Sequence, residues 1–158
     1  MRPQLFLPVL VVSMSLRASE ARVQMKDLPD PVRKTVMEQT QRGRLAQFPG
    51  QPAASLHGLS KEVENGKTFY EAETTQDGKA VDILIDASGA IVEIERSISL
   101  DAIPEAARSA LERRAGSDKV LSVESVTKGA TTSYEAVIQR NGRRSEVAVN
   151  ADGSSKEQ

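Results

Sequence analysis

Residues Lys67 to Asp86 read KTFYEAETTQDGKAVDILID. Apolar and polar residues alternate from Thr68 to Thr75 and again from Ala80 to Asp86, the two-residue period of a strand with one buried face. Between the two runs, Asp77-Gly78 is a dipeptide that accepts the positive φ of a tight type I′ turn, so the strands pair as an antiparallel hairpin. The same pattern returns downstream at a constant spacing: Tyr70-Glu71-Ala72 as Tyr134-Glu135-Ala136, Asp77-Gly78-Lys79 as Asn141-Gly142-Arg143, and Asp82 to Asp86 (DILID) as Glu146 to Asn150 (EVAVN). Gly89 falls on Gly153 at that same spacing.

Upstream of each hairpin lies a helix. Leu28-Pro29, Val32 and Val36 match Ile103-Pro104, Ala107 and Leu111, again at a constant spacing, which is longer than that of the hairpins. Asp30 before Pro31 reads as an N-cap with proline at the first helical position, and Gly43 is placed to end the helix. In the second copy Ile103, Ala107, Ala110 and Leu111 form the apolar stripe and Gly116 the stop. The difference between the two spacings predicts an insertion in the first copy, Arg44 to Ala54 (RLAQFPGQPAA). Its two prolines and glycine suit an extended surface loop, with Phe48 as its one large apolar side chain and a candidate partner contact. Further strands are expected at Leu56–Glu64, Ala90–Ser97, Lys119–Thr127, Thr131–Arg140 and Arg143–Asn150. The expected fold is α+β: tandem helix-plus-antiparallel-sheet modules (αβββ repeated) over residues 22–100 and 101–158, each with a helix on one sheet face and the other face open. The exposed edges of two such sheets would join them into one continuous sheet or pair them between chains.

Composition narrows the chemistry. The chain has 158 residues, no cysteine, one histidine and only five aromatics, which removes thiol nucleophiles, disulfides and multi-histidine metal sites. A net charge of −1 lacks the basic excess of a nucleic-acid binder. The start reads as an export signal over residues 1–21: Arg2, then the apolar stretch Leu5 to Leu16, then small residues with cleavage after Ala21. That apolar stretch falls well short of the roughly 20 residues a bilayer-spanning helix needs. The mature chain from Arg22 is therefore expected without a membrane anchor, in the periplasm or secreted.

The helix opening Leu28-Pro29…Val32…Val36, the strand Lys67 to Ala72 (KTFYEA) and the turn Asp86-Ala87-Ser88-Gly89 before Ala90-Ile91-Val92 resemble the PepSY-like domains of exported bacterial proteins, related to the fold of the β-lactamase inhibitor protein. The resemblance covers nearly the whole mature chain as two tandem copies. It implies an αβββ unit, and a non-catalytic protein that binds or inhibits peptidases or other proteins.

His57 is the only imidazole; Ser55 and Ser60 stand near it, but no nucleophile-elbow pattern surrounds them, so no catalytic residue is assigned. Asp86-Ala87-Ser88-Gly89 lacks the ligand spacing of a calcium loop and reads as a turn. No phosphate cradle is present, and neither a cofactor nor a metal site is expected.

One pattern does point to a site. Parity along the strands places Val63, Tyr70, Ala72, Val81, Ile83, Ile85, Val92 and Ile94 on the face the helix covers. The same parity gathers Glu62, Glu64, Glu71, Glu73, Asp82, Asp86, Glu93 and Glu95 on the open face. Gln51 to Asp101 carries a net charge of −6, against +3 for Arg22 to Gly50 and +1 for Ala102 to Gln158; the second copy keeps only Glu135 and Glu146 at the corresponding positions. Like charges across a sheet cost stability, so a one-sided acidic face suits a docking surface for an unidentified protein or cationic peptide. The alternative reading is a low-affinity divalent-cation-binding protein of the envelope.

Overall fold

The computed structural model describes residues 20–41 and 54–156. The proposed leader up to residue 19, the helix stop at Gly43 and all of the inserted loop except Ala54, including Phe48, lie outside the described residues. In chain order the elements are β1 (Glu20–Arg22), α1 (Asp30–Gln41), β2 (Ser55–Glu64), β3 (Lys67–Gln76), β4 (Lys79–Asp86), β5 (Ile91–Ser97), α2 (Glu105–Ala115), β6 (Lys119–Lys128), β7 (Thr131–Arg140) and β8 (Arg143–Asn150). Single turns of 3₁₀ helix precede α1 and α2. Neither helix is long and apolar enough to cross a membrane.

The expectation of tandem helix-plus-sheet modules is overturned. All eight strands belong to one antiparallel sheet in the order β1 to β8, a continuous meander. The join is the pairing of β5 with β6, Ile94 to Ser97 against Thr127 to Glu124. Two separate sheets would have left the backbone groups of both strands unpaired at edges, and the pairing satisfies them. A short edge strand that the sequence pattern did not show, β1, adds to β2 in register Glu20↔Glu62 through Arg22↔Ser60.

The local chemistry follows the sequence closely. Asp77 and Gly78 take φ of 51° and 75°, Asn141 and Gly142 take 50° and 78°, and each pair turns a hairpin as its composition requires. Asn65-Gly66 forms a third such turn, between β2 and β3. α2 ends at Gly116, whose φ of 59° suits the helix stop.

Both helices cover the same face. α1 lays Val32 and Val36 over Tyr70, Ala72, Val81, Ile83 and Ile85, with Leu28 and Leu59 closing the cluster. α2 lays Ala107, Ala110 and Leu111 over Val123, Ala136 and Val149. The register Val81↔Arg96↔Ser125↔Tyr134↔Val149 runs through both clusters, which places them on one side of the sheet. Each fully buried Val, Leu or Ile contributes about 1.5–3 kcal/mol, so these two clusters carry most of the folding free energy. Between them the row is polar: Arg96 donates to Gln76 Oε1 at 3.1 Å and stands opposite Ser125.

One expected core position moves. The register slips between Leu84 and Ile85, where Ile85 pairs with Ile91 and Val92 becomes the extra residue. Val92 therefore joins Phe69 and Leu84 around a groove on the helix-free face.

Gly89 sits where the β4–β5 turn touches the first turn of α1. A Cβ there would lie 2.7 Å from the carbonyl oxygen of Pro31, at a φ of +87°, and Thr35 Oγ1 donates to the Gly89 carbonyl at 2.7 Å. Gly153 makes the matching approach to Ala106 in α2. Gly89→Ala is expected to destabilise the fold by about 2–3 kcal/mol, since both the contact and the backbone conformation oppose a side chain. Gly78→Ala, with nothing within 4 Å of its added Cβ, is expected to cost only about 1 kcal/mol. Urea unfolding of the two variants checks the ranking.

Candidate functional site

The face opposite the helices is built from rows of side chains fixed by strand register. One row runs Ser60, Glu71, Leu84, Glu93, and the next runs Glu73, Asp82, Glu95, Val126, Ser133, Asn150. Flanking rows hold Glu62, Phe69 and Asp86 on one side and Ser97, Glu124 and Glu135 on the other. The carboxylates that parity grouped do share this face, but they share it with apolar side chains and with basic groups brought from elsewhere in the chain.

Their individual circumstances differ. Asp86 Oδ1 accepts from the Ser88 hydroxyl at 2.5 Å and from the backbone N–H groups of Ser88 and Ala90 at 2.9 and 3.0 Å. The Ser88 hydroxyl above all, with the backbone donors, holds its carboxyl below the usual range, so this group closes a turn. Glu73 forms an ion pair with Arg22 of β1 at 2.8 Å. That pair passes over Gly58, where an added Cβ would collide with Arg22 Nη1 and lie 2.6 Å from Glu73 Oε2. Glu71 accepts from Ser60 Oγ at 3.3 Å. Glu62 is buried, only 3% exposed, beside the edge strand. Glu64 and Asp82 are half-buried.

Glu93 and Glu95 lie at the centre of the sheet. Lys128 of β6 reaches across the β5–β6 join to Glu93 at 2.6 Å, where the Glu93 side chain is 13% exposed. Glu95 is 9% exposed, and burial, reinforced by the negative charge of Glu93, Glu124 and Glu135, pushes its carboxyl up to about 9. Glu124 on β6 is pushed up to about 7 by burial and by Glu135. Glu135 is lowered: burial opposes its ionisation, but a hydrogen bond with Glu146 and an ion pair with Lys156 at 2.6 Å outweigh it. Burial opposes the charge of Lys128 too, yet its bond to Glu93 raises it above the ordinary ammonium value.

Sequence parity missed Glu124, Lys128 and Lys156 as members of this face. Glu124 and Lys128 share one parity along β6, a visible signal; that they face Glu93 and Glu95 follows only from the β5–β6 pairing. Among the described residues, no group of three or more His, Asp or Glu side chains is arranged to hold a metal ion. His57 lies at an irregularity of β2, exposed, with Nε2 2.7 Å from Thr75 Oγ1.

The groove beside these rows has a volume of about 600 Å³ and is walled by Phe69, Leu84 and Val92, with Glu64, Lys67 and Lys128 at its rim. It is an apolar floor with charges of both signs around it.

Among solved structures the chain is similar to a BLIP-like protein from Bacteroides fragilis, at 15% identity over 78% of this chain and 82% of that one, TM-score 0.55. It is also similar to a candidate periplasmic protein from Bacteroides eggerthii, at 12% identity over 82% and 86% of the two chains, TM-score 0.60. A DUF2874 family protein from Bacteroides ovatus matches at 13% identity over 82% and 85%, TM-score 0.58. No family model matches the chain, and no curated protein matches it. The chain has a BLIP-like fold. The inhibitor-like fold implied by the sequence resemblance is thus supported, while the narrower PepSY-like assignment receives no support from a family model.

The ion pair across the join offers a direct test. Lys128→Met is expected to cost about 1 kcal/mol, because it leaves the Glu93 carboxylate without its cation in a mostly covered position. Adding Glu93→Gln should restore part of that loss, and a double-mutant cycle from urea midpoints measures the coupling.

Proposed function

We propose that this chain is an exported, non-catalytic binding module of the periplasm or the extracellular space that docks a protein or cationic peptide on its helix-free sheet face. The observation that carries this reading is the groove of Phe69, Leu84 and Val92 set among carboxylates on the one face the helices leave open. An apolar anchor site ringed by charge is the anatomy of a protein-docking surface, with affinity from the anchor and steering from the ring. The half-buried Glu64, Glu71 and Asp82 contribute to the acidic field together with Glu73 and Glu93, which are held in ion pairs, and Asp86, which closes its turn. The likeness to a BLIP-like protein and to a candidate periplasmic protein supports the same reading at the level of fold. The absence of cysteine and a single histidine bonded to a threonine support binding over catalysis. The recurrence of Tyr70-Glu71-Ala72 at Tyr134-Glu135-Ala136, and the matching approaches of Gly89 and Gly153 to α1 and α2, support two related halves, 22–100 and 101–158, on the shared sheet.

The mature chain, used as bait in an envelope extract, is expected to capture a defined partner identified by mass spectrometry. Phe69→Ala should weaken that capture by at least about tenfold, as loss of a buried aromatic anchor does. Glu64→Lys with Asp82→Lys should weaken it further at low salt than at high salt, since exposed charges are screened within about 3 Å at 1 M. Unchanged capture by Phe69→Ala would place the docking surface elsewhere. Calorimetric titration with calcium separates this reading from the cation-binding alternative, which predicts a carboxylate-dependent heat in the absence of any partner. For export, protein from the native host is expected to begin at Arg22, which N-terminal sequencing reads directly; cleavage there would remove Glu20 and Ala21 from β1 and leave Arg22 to pair with Glu73.

A further inference from the structure

The second half of the sheet shows what the groove of the first half can hold. The turns after β4 and β8 are built alike. Asp86 N–H donates to the Ala90 carbonyl and Gly89 N–H to that of Asp86, both at 2.9 Å; Asn150 N–H donates to the Ser154 carbonyl at 3.0 Å and Gly153 N–H to that of Asn150 at 2.9 Å. Ile91 then pairs with Ile85, and Ser155 pairs with Val149. Ser155 therefore stands where β5 begins, and Lys156 takes the place of Val92, the residue that the slip in register turns onto the helix-free face.

At that same spacing the groove has a counterpart lined by different side chains. Ser133, Ala148 and Lys156 replace Phe69, Leu84 and Val92, while Glu135 stands beside Ala148 as Glu71 stands beside Leu84. The unit thus folds with small or polar residues at all three positions, and nothing in the strand pairing requires an apolar wall in the first half. In the second half the chain fills the place itself: the Lys156 ammonium lies 2.6 Å from Glu135 Oε1, with the two side chains 27% and 13% exposed. Glu135 holds that cation while also hydrogen-bonded to Glu146, so a carboxylate of this face takes a lysine alongside its other neighbours. In the first half the place holds Val92, which carries no charge to Glu71. The groove's own cations stand at its rim, Lys128 held by Glu93 and Lys67 opposite Glu64 across the β2–β3 turn.

We propose that the groove is a lysine slot: it takes a lysine from an extended segment of the partner, with the four-carbon stem along Phe69, Leu84 and Val92 and the ammonium at Glu71, as Lys156 lies at Glu135. The inference rests on the groove being the docking site and names the residue that the partner inserts. A lysine stem covers apolar surface while its charged head keeps a polar partner. Glu64, Glu71, Asp82, Asp86 and Glu93 around the groove outnumber Lys67 and Lys128, so the field there favours a cationic head over an anionic one.

The probes are acetyl-Ser-Val-Lys-Val-Ser-amide and the same peptide with norleucine in place of lysine, which keeps the stem and removes the charge. Titrated into the wild-type protein, the lysine peptide is expected to shift the backbone amide resonances of Phe69, Leu84 and Val92 saturably. The norleucine peptide should bind at least about tenfold more weakly, because it forgoes a hydrogen bond between charged groups. Val92→Lys supplies the lysine from within, as Lys156 does, and Glu71→Gln removes the receiving charge; each should weaken the lysine peptide by at least about tenfold. Lys156→Met, in the other half, should leave its affinity unchanged. Equal affinity for the two peptides, shifts confined to other parts of the sheet, or no saturable shift at all would overturn the lysine slot, and this comparison needs no variant to fold. The docking reading is judged separately by Phe69→Ala: an envelope partner lost with Phe69→Ala but still captured after acetylation of its own lysines keeps the docking surface and rejects the lysine.

Discussion

Four residue pairs between β5 and β6 decide the shape of this molecule. They convert two stretches of hairpin into one eight-stranded surface, and they compel both helices to share a side, because side-chain parity carries through every register pair from β2 to β8. Once both apolar clusters lie under one face, the other face has no element of the described chain to cover it. The open surface is a consequence of where the sheet is joined.

That surface is less uniform than its charge suggests. A carboxylate in water costs nothing to keep ionised, but Glu62, Glu93, Glu95 and Glu135 are all largely covered. Three of them sit in different circumstances: Glu93 and Glu135 are held in ion pairs, whereas burial among neighbouring carboxylates pushes the carboxyl of Glu95 up. Side chains that sit two positions apart on one strand thus differ in burial and in neighbours: Glu93 is paired with Lys128, and Glu95 lies opposite Val126. The apolar groove beside them draws its wall from Val92, which reaches the helix-free face only through the slip in register beside it.

Glu73 and Arg22 show how an edge is managed. The edge strand β1 is three residues long and delivers a guanidinium over a glycine to a carboxylate two strands away. In the full chain a short, charged edge of this kind discourages further strands from adding there, and a chain beginning at Arg22 would keep the guanidinium at that edge.

Period-two alternation, the Asp-Gly and Asn-Gly turns and the helix stop at Gly116 are local properties, and the strands β2 to β8, their hairpins and α2 were legible in the sequence to within a residue or two. So was the grouping of eight carboxylates, because parity needs only the strand. What sequence could not reveal is which strand stands beside β5. Its partner is separated from it by α2, no turn dipeptide links them, and backbone hydrogen bonding is blind to side-chain identity, so two sheets or one satisfied the same pattern. Only the tertiary structure chose, and with that choice came Glu124, Lys128 and Lys156 as neighbours of Glu93, Glu95 and Glu135. Electrostatic environment depends on distance through space and on burial, and neither is written along the chain.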